Sequence, residues 1–209
     1  MRCAARLVLL ALAAVPAQAQ GRGSPAGIAA GIEAALPALS VQTRLLTGEA
    51  PEGTSVDAYR KAGEVEKIAV ESLLETARIF REFYFERGSL VRARVRFVGY
   101  STYPRPDPKA VPPHRHWQID PTDQLIADDV YDFTDGRLTG WTSFGAAARA
   151  GMADYAASQR DILASAQMFA ALVNLPAPLA SDGTPDTDAV WACVPGDGVL
   201  CQSFHPVMP

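Results

Sequence analysis

The chain has 209 residues, of which 48% are hydrophobic and 20% are charged, and its formal net charge at pH 7 is −4. This length and composition predict a folded protein with a sizeable core rather than a disordered chain. The acidic balance argues against a nucleic-acid-binding function, which usually requires a basic surface.

The first nineteen residues have the layout of a secretory signal peptide. Arg2 and Arg6 form a basic start, residues 7–15 are an unbroken apolar run, and residues 17–19 (Ala-Gln-Ala) are a small-x-small cleavage site. The apolar run is too short for a bilayer core, which requires about 20 residues. We predict cleavage after residue 19, export to the periplasm or outside of a bacterium, and no membrane span in the mature chain.

The mature chain, residues 20–209, is predicted to form one α+β domain. Without Arg2 and Arg6 it keeps 17 of the 19 basic residues against 23 acidic residues, a net charge of −6. Ser24 and Pro25 are typical of a helix N-cap and first helical residue. Because an apolar residue recurs at every fourth position from Ile28, we predict a short helix over residues 25–36.

A strand over residues 39–46 and a turn over 48–53 are predicted next. Three segments with one pattern then predict β-hairpins: each has a turn glycine, an apolar residue two positions later, and strand-like sequence on both sides. These segments are residues 59–65, 84–90 and 132–138. They predict an antiparallel meander of three or more hairpins, with about six to eight strands.

The alternation of the middle hairpin favours a three-residue turn over residues 86–88 rather than a two-residue turn. The three-residue turn places Arg92 opposite Glu82 and leaves the other sheet face largely apolar. The same turn is predicted for the other two hairpins.

Arg92, Arg94 and Arg96 alternate along one strand, so their side chains lie on one face of the sheet. We call these three residues the arginine stripe. Aligned guanidinium groups could bind a carboxylate, a phosphate or an acidic partner surface. The competing interpretation is that they are solvated or paired with carboxylates such as Glu82 and Glu71.

Residues 101–123 contain six prolines and are predicted to form an extended, semi-rigid loop. His114 and His116 would point the same way in an extended segment, as two metal ligands do. A zinc site requires three or four ligands, so we favour no metal site here. Two other interpretations remain. The histidines are exposed or hydrogen-bonded, or the segment is a ligand-binding surface with contacts from Arg115 and Trp117.

Residues 145–175 predict a long amphipathic helix that covers the apolar face of the sheet, followed by a polar loop over 176–189. Cys193 and Cys201 flank a Pro-Gly-Asp-Gly turn sequence near the end of the chain. Because cysteine pairs of exported proteins are usually oxidised, we predict a disulfide-linked C-terminal hairpin.

The chain has no G-x-S-x-G elbow, P-loop, H-E-x-x-H or dinucleotide fingerprint, and we predict no catalytic residue and no cofactor. The favoured function is a non-enzymatic binding or envelope-accessory protein. Its ligand would be an acidic small molecule, a glycan or another envelope protein. One alternative is a metal-dependent hydrolase that uses His114 and His116. Another is an inhibitor of a secreted hydrolase that presents the loop between Cys193 and Cys201.

Overall fold

A computed structural model of the chain describes residues 23–100, 123–148, 151–179, 189–194 and 200–204, with the backbone alone at 152, 190, 192–194 and 200–204. The predicted signal peptide lies outside the described residues, and so do residues 101–122 of the proline-rich loop.

The described residues form an α+β structure with one ten-stranded sheet and two α-helices, so the predicted class is confirmed. Strands β1 to β8 are an antiparallel meander in chain order; β9 pairs parallel to β1, and β10 pairs antiparallel to β9. The elements are α1 (Pro25–Ala35), a 3₁₀ turn (Leu36–Ala38), β1 (Ser40–Thr47), β2 (Thr54–Lys61), β3 (Glu64–Leu73), β4 (Ala77–Glu86), β5 (Ser89–Gly99), β6 (Gln124–Thr134), β7 (Arg137–Ser143), β8 (Ala146–Ala147), α2 (Met152–Asn174), β9 (Val190–Val194) and β10 (Leu200–Phe204).

The turns of the three predicted hairpins contain two residues each, so the predicted three-residue turn is wrong. A positive φ at both turn residues is the mark of a type I′ turn. The pairs are Ala62 and Gly63 (49° and 88°), Arg87 and Gly88 (51° and 75°), and Asp135 and Gly136 (50° and 73°).

A fourth turn of this kind, at Phe144 and Gly145, joins β7 to β8. Consequently α2 begins at Met152 rather than at the predicted residue 145. The alanines after this turn have a high helix propensity, so the sequence pattern predicted helix where the structure has a hairpin.

A β-bulge beyond each turn explains why the predicted composition of the sheet faces is nevertheless right. In the middle hairpin the register shifts between Tyr84 and Phe85. Arg92 therefore lies opposite Tyr84 instead of the predicted Glu82. The shorter turn and the bulge together move each partner by two positions, and side chains two positions apart share a face. The arginine stripe is thus on the same face as Glu82, with different cross-strand partners.

Each face of the sheet carries one helix. The larger hydrophobic cluster packs α2 against one face, where the fully buried side chains include Ile68, Phe83, Phe133, Phe169 and Leu172. The smaller cluster packs α1 against the opposite face through Ala29, Ile32 and Tyr84. Neither of these two helices has an apolar stretch long enough to span a bilayer.

Two arginines from the sheet bind the C-terminal end of α2, whose last turn has no basic residue of its own. Arg60 Nη2 donates to the carbonyl of Val173 at 2.6 Å and to Asn174 Oδ1 at 3.1 Å. Arg44 donates to the carbonyl of Leu175, and its guanidinium lies 4.6 Å from the centre of the Trp191 ring. Cations at this end of a helix satisfy free carbonyls and oppose the negative end of its dipole.

The backbone register of β9 and β10 places Cys201 opposite Cys193. Both cysteine side chains and residues 195–199 lie outside the described part, so the disulfide stays a prediction. We expect that replacing Cys193 and Cys201 together with serine lowers the free energy of unfolding by about 2.5 kcal/mol, because the bond restricts the unfolded chain. Urea denaturation of exported protein checks this. If the unmodified protein and the double serine variant have the same free energy of unfolding, no such disulfide forms.

Candidate binding groove

The three hairpin turns that share the sequence pattern lie at one end of the sheet. They connect β2 to β3, β4 to β5 and β6 to β7, and alternate connections of a meander lie at the same edge. Neighbouring strands are about 4.8 Å apart, so consecutive turns of this row are about 10 Å apart. The repeated pattern therefore produces a row of turns, residues 62–63, 87–88 and 135–136.

The larger cavity lies between the second and third turns and has a volume of about 480 Å³. α1 lines it on one side of the sheet through Pro25 and Ile28, and α2 lines it on the other. Its polar edge includes Glu86, Arg87 and Gln167. Its apolar wall is formed by Phe85, Leu90, Phe133, Leu163, Ala166 and Ala170.

A smaller cavity of about 310 Å³ lies between the first and second turns, with Asn174 of α2 in its wall. The two cavities share Phe85, Arg87, Gly88 and Ala170. The two cavities therefore adjoin each other between α2 and the row of turns, and we call them together the turn groove. Cavities of about 300 to 1,000 Å³ are typical of ligand sites.

Charges of both signs flank every turn of the groove. Lys61 and Glu64 flank the first turn, Glu86 and Arg87 lie at the second, and Asp135 and Arg137 lie at the third. Among the described residues, no ion pair involves the charged groups of the first two turns.

No residue of the arginine stripe lines either cavity, and each of its guanidinium groups has a carboxylate partner. Arg92 donates through Nε and Nη2 to the two carboxylate oxygens of Asp132, at 2.8 and 3.2 Å. Arg96 Nη2 lies 3.1 Å from Glu82 Oε2. A negatively charged ligand at the stripe would have to displace these carboxylates.

Arg94 has the best hydrogen-bonding geometry of the stripe. Its Nε and Nη2 atoms each donate to an oxygen of Asp128 at 2.7 Å. These bonds hold the pKa of the Asp128 carboxyl below its usual value and raise the pKa of the Arg94 guanidinium. The predicted pairing of the stripe with Glu82 is confirmed for Arg96, whereas Glu71 lies beside Arg78. The two aspartates of β6 were not predicted as partners, because residues 101–123 separate β5 from β6 and no local pattern sets the register of these strands.

A buried ion-pair network lies beside the stripe under α1. Lys67 is only 2% exposed, and its ammonium contacts Glu33 Oε1 at 2.6 Å and Glu82 Oε1 at 2.8 Å. Its Nζ atom also lies 5.8 and 5.2 Å from the ring centres of Tyr59 and Tyr84, as in cation–π contacts. The network fixes α1 to the sheet, because Glu33 lies on the helix whereas Lys67 and Glu82 lie on β3 and β4.

Glu33 also accepts a hydrogen bond from the Tyr84 hydroxyl at 2.7 Å. Burial opposes ionisation of Glu33, but the bonds from Lys67 and Tyr84 outweigh it and hold the pKa of its carboxyl below the usual value. Burial, the nearby Glu82 charge and the bond to Glu33 together raise the pKa of the Tyr84 hydroxyl. No local sequence pattern predicts this network, because its ionic members lie on three separate elements, α1, β3 and β4.

The other predicted site residues lie outside the described part of the chain: His114, His116, Arg115 and Trp117. Within the described ranges, no group of three or more histidine, cysteine or acidic side chains could hold a metal ion. The loop proposed as an inhibitory wedge, residues 195–199, is also outside the description.

Comparison of the chain with protein-family models, curated proteins and solved structures finds no match.

Proposed function

We propose that the chain is an exported, non-enzymatic binding protein of a bacterial envelope, and that the turn groove holds its ligand. The two adjoining cavities between α2 and the row of turns carry this proposal: the larger has a mainly apolar wall, and the smaller has a mixed polar and apolar wall. Export rests on the signal-peptide pattern of residues 1–19.

The composition of the groove supports binding through apolar contacts. Phe85 and Phe133 are nearly fully buried in the core, yet both also line the larger cavity, so the groove reaches the main core of the protein. A ligand seated there would remove apolar surface from water, at about 25 cal/mol per Å². Polar groups at the turns would orient it, as is typical of binding sites.

Ala170 offers a direct test, because it lines both cavities and is partly exposed. The phenyl ring of an Ala170→Phe variant would occupy the groove. We expect it to weaken binding of the neutral apolar probe N-phenyl-1-naphthylamine by about ten-fold or more, equivalent to about 1.4 kcal/mol. Fluorescence titration of the purified exported protein measures this.

Ala164→Phe is the matched control, since Ala164 is an exposed residue of the same helix and does not line the groove. It should leave the affinity for the probe unchanged, and circular dichroism should show that both variants fold. The proposal fails if the probe does not bind the unmodified protein, or if the two variants weaken its binding equally.

A further inference from the structure

The two cavities of the turn groove are separated by the width of one hairpin. One lies between the turns at Gly63 and Gly88, and the other between the turns at Gly88 and Gly136. Neighbouring hairpins of the meander are two strands apart, which places the cavity centres about 10 Å apart. α2 forms the opposite wall along this whole distance, from Leu163 to Asn174.

We infer that the turn groove binds an amphipathic α-helix of a partner protein, with one apolar side chain in each cavity. Residues i and i+7 of an α-helix lie on the same face about 10.5 Å apart, which matches the spacing of the cavities. Side chains on one face of an extended strand recur at about 6.7 and 13.4 Å, and neither distance fits. The inference rests on the proposed function of the groove and names the class of its ligand.

The walls of the groove suit a helical partner for a second reason. Helices pack at interaxial distances of about 8 to 10 Å, and small side chains at the contact allow the shorter distances. α2 presents the small, partly exposed side chain of Ala170 to both cavities, so a partner helix can approach α2 closely there while its larger side chains enter the cavities.

The charges at the turns favour a polypeptide over a lipid or a neutral glycan. An acidic and a basic residue accompany every turn, at intervals of about 10 Å along the row. An amphipathic helix with glutamate and lysine beside its apolar stripe presents both signs at the same repeat. A lipid headgroup or a neutral sugar chain has no such alternation. This complementarity would set the orientation of the bound helix rather than its affinity.

Peptide display on the exported protein tests the inference. Three libraries are selected in parallel: peptides with apolar residues in a heptad pattern, peptides with apolar residues at alternate positions, and peptides of the same composition without a pattern. We expect enrichment from the heptad library alone. The enriched peptides should bind the unmodified protein and Ala164→Phe equally, lose about ten-fold or more in affinity for Ala170→Phe, and gain helical circular dichroism on binding.

Enrichment confined to the alternating or unpatterned library would overturn the inference, and so would heptad peptides that bind Ala170→Phe unchanged. If no library is enriched, the inference also fails. Titration with N-phenyl-1-naphthylamine then tests the proposed function separately. Probe binding that Ala170→Phe weakens would leave a small-molecule groove. Absence of probe binding would remove the groove as a binding site altogether.

Discussion

Replacing Lys67 with methionine should lower the free energy of unfolding by about 3 kcal/mol or more, measured by urea denaturation. The methionine side chain keeps most of the apolar stem and removes only the ammonium group. Glu82, which is 7% exposed, then keeps the contact of Arg96 with its Oε2 atom, but its Oε1 atom loses the ammonium partner. Glu33 loses the same buried partner. A buried carboxylate that loses its counter-charge costs far more than an exposed one.

A double variant separates the loss of charge balance from the loss of packing. Lys67→Met combined with Glu33→Gln removes the cation and one of its two carboxylate partners, and the remaining carboxylate, Glu82, keeps its pair with Arg96. We expect it to recover much of the stability that Lys67→Met loses, since neutral replacements of buried ion pairs are often tolerated. If Lys67→Met alone is as stable as the unmodified protein, the network does not hold α1 in place.

The pH dependence of stability provides a second readout of the same network. The folded-state pKa of Glu33 lies below its usual value of 4.5. Its contribution is therefore present above that pH and is lost as the pH falls through the folded pKa. Lys67→Met should reduce this acid-induced loss, because it removes the main partner of the ionised carboxylate. An unchanged pH profile would contradict the assigned ion pair.

Local sequence patterns predicted the elements of the fold well, because local physics determines them. Glycine at the second position of each turn is favoured by its positive φ, and the three hairpins occur where these glycines are. Ser24 accepts a hydrogen bond from the Gly27 amide, as predicted for a helix N-cap. The turn length was missed because Ala62 and Arg87 occupy a left-handed position where asparagine, aspartate or glycine is usual.

These local patterns do not predict contacts between segments that are distant in the sequence. The pairing of β5 with β6 brings Asp128 to Arg94, yet no local signal sets a register across the intervening loop. The parallel pairing of β1 with β9 joins the two ends of the described chain and has no sequence signature either. The arginine stripe could be predicted from residue type and spacing alone. The turn groove could not, because it depends on how three hairpins and two helices are arranged in space.

Replacing Phe169 with alanine should lower the free energy of unfolding by about 3 to 5 kcal/mol. Phe169 is 0% exposed on the inner face of α2, and its ring centre lies 5.9 Å from that of Phe83 on β4. Truncation removes apolar contacts and leaves a cavity between helix and sheet that the surroundings fill only partly. Urea denaturation monitored by circular dichroism gives the value.

Phe144→Ala is the matched control for this substitution, since it removes the same atoms from a side chain that is 59% exposed. It should change the free energy of unfolding by no more than about 0.5 kcal/mol. In a double-mutant cycle, Phe83→Ala and Phe169→Ala should together cost less than the sum of the single changes, because they remove one shared ring contact. Equal costs for Phe169→Ala and Phe144→Ala would mean that α2 is not seated on this face.

The position of Phe169 next to Ala170 links the stability of α2 to the turn groove. The Phe169 side chain fixes the helix to the sheet, and the adjacent Ala170 lines both cavities. Phe169→Ala should therefore weaken ligand binding only to the extent that it unfolds or displaces α2, and the loss should grow with urea concentration. Ala170→Phe should weaken binding in the absence of urea while the protein remains folded. The two substitutions, one residue apart, thus distinguish loss of binding caused by a destabilised α2 from loss of binding caused by a filled groove.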